Sequence, residues 1–359
     1  MTKKLLWFGL SLALVAALVL SSCAKTTSTT ATTSTTPAKT TTTSTSVVTT
    51  NTTNPVTTTT TAADTPIYGG TFYMMNNANA AGLKDPTGWD HVMGISLGEA
   101  SVWGNPYLEK LLVGDIEKYG PRGNNTFAFN LYENVPEAYW GGLLATSWEI
   151  TTTPALTYTF NLRHGVMFTG NKNIGMAPRE LTSADVKYSE LRSKSKPGFV
   201  AGLAWLDTID TPDNYTVIWH CLNFYSLWAW RWNGTALGQI WAHESVEAPT
   251  GPTDWKNQVG SGPYILTDYV SGAGATYTRN PAYWGKMTYN GKEYQLPFIQ
   301  TVIYPIIPDE SVQISALRTG KIDWAPKIKL QYGASLASSS PALIQKQYTL
   351  GVCDYLKIN

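Results

Sequence analysis

An α/β fold is what this sequence predicts, and three stretches carry the expectation. In Thr157-Tyr158-Thr159-Phe160-Asn161-Leu162 the apolar side chains fall on every second position, the pattern of a strand with one face buried and the other wet. Thr182 with Asp185 three places on offers a helix cap and a carboxylate beside the positive helix end, and Pro197-Gly198 stops that helix after about Lys194. A second strand, Tyr215-Thr216-Val217-Ile218-Trp219, follows the turn Pro212-Asp213-Asn214. Strands and helices therefore alternate, rather than forming an all-β pattern.

The chain opens differently. Lys3 and Lys4 precede an apolar run from Leu5 to Leu20, and Ser21-Ser22-Cys23 closes it. This resembles a bacterial lipoprotein leader and lipobox, with Ser22 where Gly or Ala is usual, and it implies cleavage before Cys23 and acylation of its thiol. The run is shorter than the ~20 residues a spanning helix needs, whereas acyl chains at about 0.8 kcal/mol per buried methylene hold a protein on a membrane face. Residues 24–65 are almost wholly Thr and Ser with Pro37 and Pro55, a composition that cannot bury a core and reads as a disordered tether. An aromatic-rich body of about 295 residues follows, enough for two domains.

Further elements are legible in that body. In Gly260-Ser261-Gly262-Pro263-Tyr264 two glycines let backbone approach backbone or ligand, and Pro263 fixes entry into a strand from Tyr264 to Tyr269. Such a turn suits a hinge-side or cleft edge, and equally an ordinary hairpin lead-in. Asn280-Pro281 breaks the strand before it, and Tyr283 and Trp284 read as packing residues. Asp309 or Ser311 starts a helix with Val312, Ala316 and Leu317 on one side, Gly320 ends it, and Ile322-Asp323-Trp324 leaves as a strand.

Composition narrows the function. The formal net charge of +1 becomes −1 once Lys3 and Lys4 leave with the leader, so nothing attracts nucleic acid. His91, His164, His220 and His243 are scattered and form no metal pattern, and neither metal nor cofactor is expected. Cys221 and Cys353 sit in apolar stretches as two buried thiols, with a disulfide permitted but not demanded. Among the 14 Trp, the concentration at Trp219, Trp228, Trp230, Trp232 and Trp241 is the best hint of ligand chemistry, since flat faces stack on sugars or peptide side chains, although packing also accounts for it. As a strand, Trp228, Trp230 and Trp232 would share a face; as a helix they would spread around the axis. An enzyme, for example a surface glycoside hydrolase, needs a placed carboxylate pair. Glu133 and Glu137 flank Pro136 in a loop, Asp309 and Glu310 start a helix, and no nucleophile turn or phosphate loop is present. An adhesive surface protein would explain tether and aromatics only.

Several blocks in order carry a resemblance. Gly69-Gly70-Thr71-Phe72 and Asp85-Pro86 are followed by Leu143 to Glu149, Leu156 to Arg163, Gly165 to Phe168 and Thr182 to Ser189. Gly260 to Tyr264, Arg279-Asn280-Pro281-Ala282-Tyr283-Trp284-Gly285, Ile307 to Ser311 and Ala316 to Asp323 complete the set. Together they resemble the peptide/nickel/oligosaccharide solute-binding proteins of ABC importers. That resemblance implies a periplasmic-binding-protein-like fold (type II, family 5), with mixed sheets in lobes around a hinge and no catalysis. It places a first lobe at 66–104 and 216–325, a small inserted domain at 105–215, and the start of a second large lobe at 326–359, most of that lobe being missing. Gly170 to Leu181 is longer than the family's short turn and is expected to be a surface loop. The implied function is extracytoplasmic capture of an oligopeptide, or alternatively an oligosaccharide, and delivery to permease subunits by a lipid-anchored receptor. Asn76, Asn77, Trp89, Asp90 and Trp324 are expected at the ligand cleft by resemblance, and Trp228, Gly260 and Ser261 are added from their own chemistry.

Overall fold

The computed structural model describes residues 65–75, 85–86, 88–90, 92, 102–121, 123–129, 134–197 and 201–347, all within the unit Ala62–Asn359. The leader with Cys23, the Thr/Ser stretch to residue 64, and Asn76, Asn77, His91, Glu133 and Cys353 lie outside the described residues.

Two four-stranded sheets organise the chain, with strands numbered in chain order. The first runs β1 (Gly69–Tyr73), β14 (Ile299–Pro305), β11 (Gly274–Arg279), β10 (Tyr264–Val270), and is mixed because β1 is parallel to β14 while the other pairs are antiparallel. Its inward side chains, Leu266, Ala275, Tyr277, Val302 and Tyr304, form a core with Trp89, Trp103, Tyr107 and Trp241. β11 ends as expected at Arg279, before Asn280-Pro281, where proline has no N–H to continue the ladder.

The second sheet, β4 (Ala145–Thr151), β5 (Thr157–Leu162), β9 (Thr216–Cys221), β8 (Leu206–Asp213), is wholly antiparallel. The alternation read in the sequence is realised: Tyr158, Phe160 and Leu162 are buried while Asn161 is exposed. Strand β9 pairs with β5 and β8, and Trp228, Ala229, Leu237, Ile240, Ala242 and Val259 share their core, so the boundary expected at 215 falls inside one sheet. The physical reason is that a sheet cannot be cut between hydrogen-bonded strands.

Among the described residues, three two-stranded ladders complete the strands: β2 (Leu112–Gly114) with β3 (Trp140–Gly142), β6 (Met167–Phe168) with β7 (Arg179–Glu180), and β12 (Lys286–Tyr289) with β13 (Lys292–Gln295). Residues 170–181 are therefore more than a surface loop, since they hold a 3-10 turn and β7, and Asn171 donates Nδ2 to the carbonyls of Lys256 and Gln258 at 2.7 and 3.2 Å.

Helices among the described residues include α1 (Ile116–Tyr119), α2 (Ser183–Lys194), α3 (Trp228–Asn233), α4 (His243–Glu247), α5 (Glu310–Arg318) and α6 (Gly333–Ser339). α2 has the predicted limits, and Asp185 accepts from the Thr182 N–H at 2.9 Å. Its buried face is polar apart from Val186, comprising Ser183, Asp185, Ser189, Glu190 and Ser193. Hydrogen bonds replace grease there: Ser189 Oγ accepts from Trp241 N–H at 2.8 Å and Ser193 donates to Leu237 O at 2.6 Å. Asp309 caps α5 through Val312 N–H, and Gly320 follows at φ +64°, both as read from the sequence. Under α5 and α6, Met75, Ile314, Leu317, Ile322 and Leu336 form a third core. Leu336 thus packs with residues from before 325, across the boundary expected there. The strand expected at Ile322-Asp323-Trp324 reduces to one bridge between Trp324 and Met74.

Candidate functional site

In open α/β sheets, solutes settle outside the carboxyl ends of parallel strands, which here directs attention to the end of β1. Tyr73 O accepts from the N–H groups of Asp323 and Trp324 at 2.9 and 3.3 Å, and Met75 N–H donates to Trp324 O at 2.8 Å. The Asp323 carboxylate returns the contact by accepting from Tyr73 N–H at 2.8 Å. Backbone at this edge is therefore fixed, with Met75 fully buried beneath it, while the side chains of Tyr73 and Trp324 stay 40% and 42% exposed. Two exposed aromatic faces on a rigid edge are equipped to stack on an apolar or planar part of a solute. Across the same end of the sheet, Asp85 accepts from Tyr269 Oη at 2.7 Å, Ser271 Oγ at 3.1 Å and Gly272 N–H at 2.9 Å, fastening the β10–β11 turn.

The opposite end of this sheet holds the glycine turn. Tyr264 opens β10 and donates its hydroxyl to the carbonyl of Ile299, the first residue of β14. Gly262 N–H donates to Tyr107 O at 2.9 Å and Tyr264 N–H to Pro106 O at 3.0 Å. A Cβ on Gly260 would lie 1.7 Å from Tyr107 O, and one on Gly262 would lie 2.8 Å from it. The glycines admit backbone, not ligand. Ser261 is buried and donates Oγ to Glu109 Oε2 at 2.8 Å, and that carboxyl also accepts from Trp284 Nε1 at 3.1 Å and Tyr283 Oη at 3.2 Å. Tyr283 and Trp284 are thus packing residues with polar anchors.

The eight sequence candidates for ligand contact are therefore not gathered in one place. Trp324 lies on the exposed edge, and Asn76 and Asn77 are outside the described residues. Trp89 is near the same end of the sheet but buried, with its ring 5.1 Å from Tyr269 and 5.6 Å from Trp103. Asp90 is buried in an ion pair with Arg192 at 2.5 Å, tying its loop to α2, where removal of one partner would strand the other charge. Gly260 and Ser261 are at the far end, about 13 Å along the strand direction at 3.3 Å per residue, and beside the opposite edge strand. Trp228 is a correction: α3 is helical, so Trp228 and Trp232 turn into the core while Trp230 is only partly buried, and Trp228 donates Nε1 to Glu137 at 3.3 Å. Tyr73, on the exposed edge, and Glu109, the acceptor behind the glycine turn, are not among the sequence candidates. A lone Tyr at a strand end and a Glu in Tyr107-Leu108-Glu109-Lys110 have no local pattern to distinguish them.

Of the carboxylates weighed for acid–base work, the three among the described residues have partners. Asp309 caps α5, Glu310 pairs with Lys329 at 2.8 Å, and Glu137 accepts from Trp228. Among the described residues no group of three or more His, Cys, Asp or Glu is arranged to hold a metal. Cys221 is a half-buried thiol, pushed up to about 12 by burial. No helix among the described residues is long and apolar enough to cross a membrane.

Comparison with known proteins agrees with a solute-binding fold. Residues 140–359 match the family model of bacterial extracellular solute-binding proteins, family 5. Protein XP55 of Streptomyces lividans is 26% identical over 255 residues, covering 69% of this chain and 43% of that protein. The dipeptide-binding protein of Escherichia coli K12 is 26% identical over 209 residues, covering 51% of this chain and 35% of that protein. In structure, the periplasmic binding protein DppA of Helicobacter pylori, in complex with the peptide STSA, superposes with a TM-score of 0.57 at 20% identity, over 76% of this chain and 49% of that one. The chain belongs to the family 5 extracellular solute-binding proteins, and its mixed-sheet architecture is the fold of that family. It spans less than half the length of these relatives.

Proposed function

We propose that this protein captures an extended solute, a peptide in the first instance, outside the cytoplasm and delivers it unaltered to an ABC permease. The observation that carries the reading is the exposed Tyr73–Trp324 edge at the carboxyl end of β1 in a family 5 fold. Support for a peptide comes from the Escherichia coli relative, named for dipeptides, and from the Helicobacter pylori neighbour, solved with a peptide. An acylated Cys23 would keep the receptor on the membrane face while a long tether let the body reach its permease. Asn76 and Asn77 stay in this reading as ligand candidates by resemblance, Trp89 and Asp90 as residues buried behind the solute end; Gly260, Ser261 and Trp228 serve it by holding the body in shape.

Ligand binding raises apparent stability, so thermal-shift screening against short peptides and oligosaccharides tests the proposal. A peptide is expected to raise Tm, and Trp324→Ala to weaken that peptide's Kd about tenfold, the effect of losing about 1.4 kcal/mol of aromatic contact, with the ligand-free Tm unchanged. A shift with oligosaccharides and none with peptides would replace the ligand class, and release of product from either would replace the receptor by an enzyme. For the anchor, Cys23→Ser should move the protein from the membrane to the soluble fraction; an unchanged distribution would remove lipidation from the reading.

A further inference from the structure

The chain passes from one core to the other along 107–112 and back along 259–264: Tyr107 and Leu108 belong to the first sheet's core, Leu111, Leu112 and Val259 to the second's, and Tyr264 packs against the first. Glu109 sits on the outgoing passage and Ser261 on the returning one, side chain to side chain. We infer that Glu109 is a proton-dependent latch between these two passages, setting how firmly the inserted unit is joined to the first sheet.

Geometry carries this. Glu109 is 4% exposed, and its two oxygens take hydrogen bonds from Ser261 on the returning passage and from Tyr283 and Trp284 beyond β11. Its own carbonyl accepts from Ile240 N–H at 2.9 Å. One carboxyl thus joins three stretches of chain. Of the charged and titratable groups around it, Arg163 stacks on the Trp284 ring at 4.2 Å and favours the charged form, and Tyr283 donates as a neutral phenol. Lys110 turns away to Asn233 O at 3.1 Å and is pushed down to about 8 by burial, and Tyr107 donates to Gln258 Oε1.

Burial raises the Glu109 carboxyl, and the three donors with Arg163 offset it only in part, leaving it at about 7 against an ordinary 4.5. The folded state therefore keeps a proton that the opened chain releases. The latch contributes fully below about pH 4.5 and is lost as pH rises through about 7.

Hydrogen exchange on the intact protein between pH 5 and 8, with rates divided by the intrinsic rate at each pH, reads the latch through segments 104–112 and 259–266. Protection there is expected to fall by up to about tenfold per pH unit from pH 5 to 7 and then level off. Glu109→Gln, neutral throughout, should abolish that slope. A second buried acid, Glu190, raised to about 8 by burial, lies in the other core. Glu190→Gln should leave the slope in the two segments intact. If Glu109→Gln keeps the wild-type slope, or Glu190→Gln removes it, the latch is overturned. Should Glu109→Gln not fold, Ser261→Ala serves: losing a donor to the carboxylate must move the midpoint upward, and an unmoved midpoint overturns the inference equally.

Discussion

Gly260→Ala is expected to destabilise the protein by about 3 kcal/mol or more, the upper range for forcing extra volume into packed structure. The added methyl would lie 1.7 Å from a backbone oxygen, Tyr107 O, and a backbone atom cannot swing aside as a side-chain tip can. The turn and the 106–109 segment must separate, which loosens the bonds from Gly262 to Tyr107 and from Tyr264 to Pro106 and displaces Ser261 from Glu109. Chemical denaturation followed by tryptophan fluorescence measures the loss. A change below 1 kcal/mol would show that the two passages are not held at the spacing described. Gly272→Ala is a useful contrast, because nothing lies within 4 Å of its Cβ position and its φ of +76° is the only source of strain. It should cost about 1 kcal/mol.

Trp219→Ala should cost about 3–5 kcal/mol, the range for emptying a buried aromatic site. Trp219 is fully buried in β9, with ring contacts at 4.7 Å to Phe160, 5.7 Å to Trp232, 5.9 Å to Trp205 and 6.2 Å to Trp228. It also donates Nε1 to Glu190 Oε2 at 2.6 Å. The alanine leaves both a cavity and a buried acid short of a donor. Trp219→Phe separates the two effects, since it fills most of the space and restores no donor. A loss equal to that of the alanine would assign the whole effect to the hydrogen bond.

How far these features could be read in the sequence depended on whether their signal was local. The limits of α2 follow from Thr182, Asp185 and Pro197, which act within a turn of the chain. No apolar stripe could have found that helix, because its buried face is serine and carboxylate answered by distant partners such as Trp241 and Leu237. β5 was legible because alternation is written in successive residues. The family blocks were legible as an ordered set, and they brought the fold with them. The site was only partly so. Gly260 and Ser261 show backbone proximity by their types, but whether the approaching chain is a solute or Tyr107 is decided by long-range packing. Trp228 carried an ambiguous signal because stacking on a ligand and stacking on Trp219 need the same side chain. The sheet that spans position 215 was not legible because β9 joins β5 across more than fifty residues of sequence, a pairing that no local pattern records.

The aromatic edge and the glycine turn stand at opposite ends of one sheet, so they can be varied separately. Substitutions more than about 7–10 Å apart with no shared partner act nearly additively, so changes at the Tyr73–Trp324 edge are expected to leave untouched the stability that the glycine turn sets.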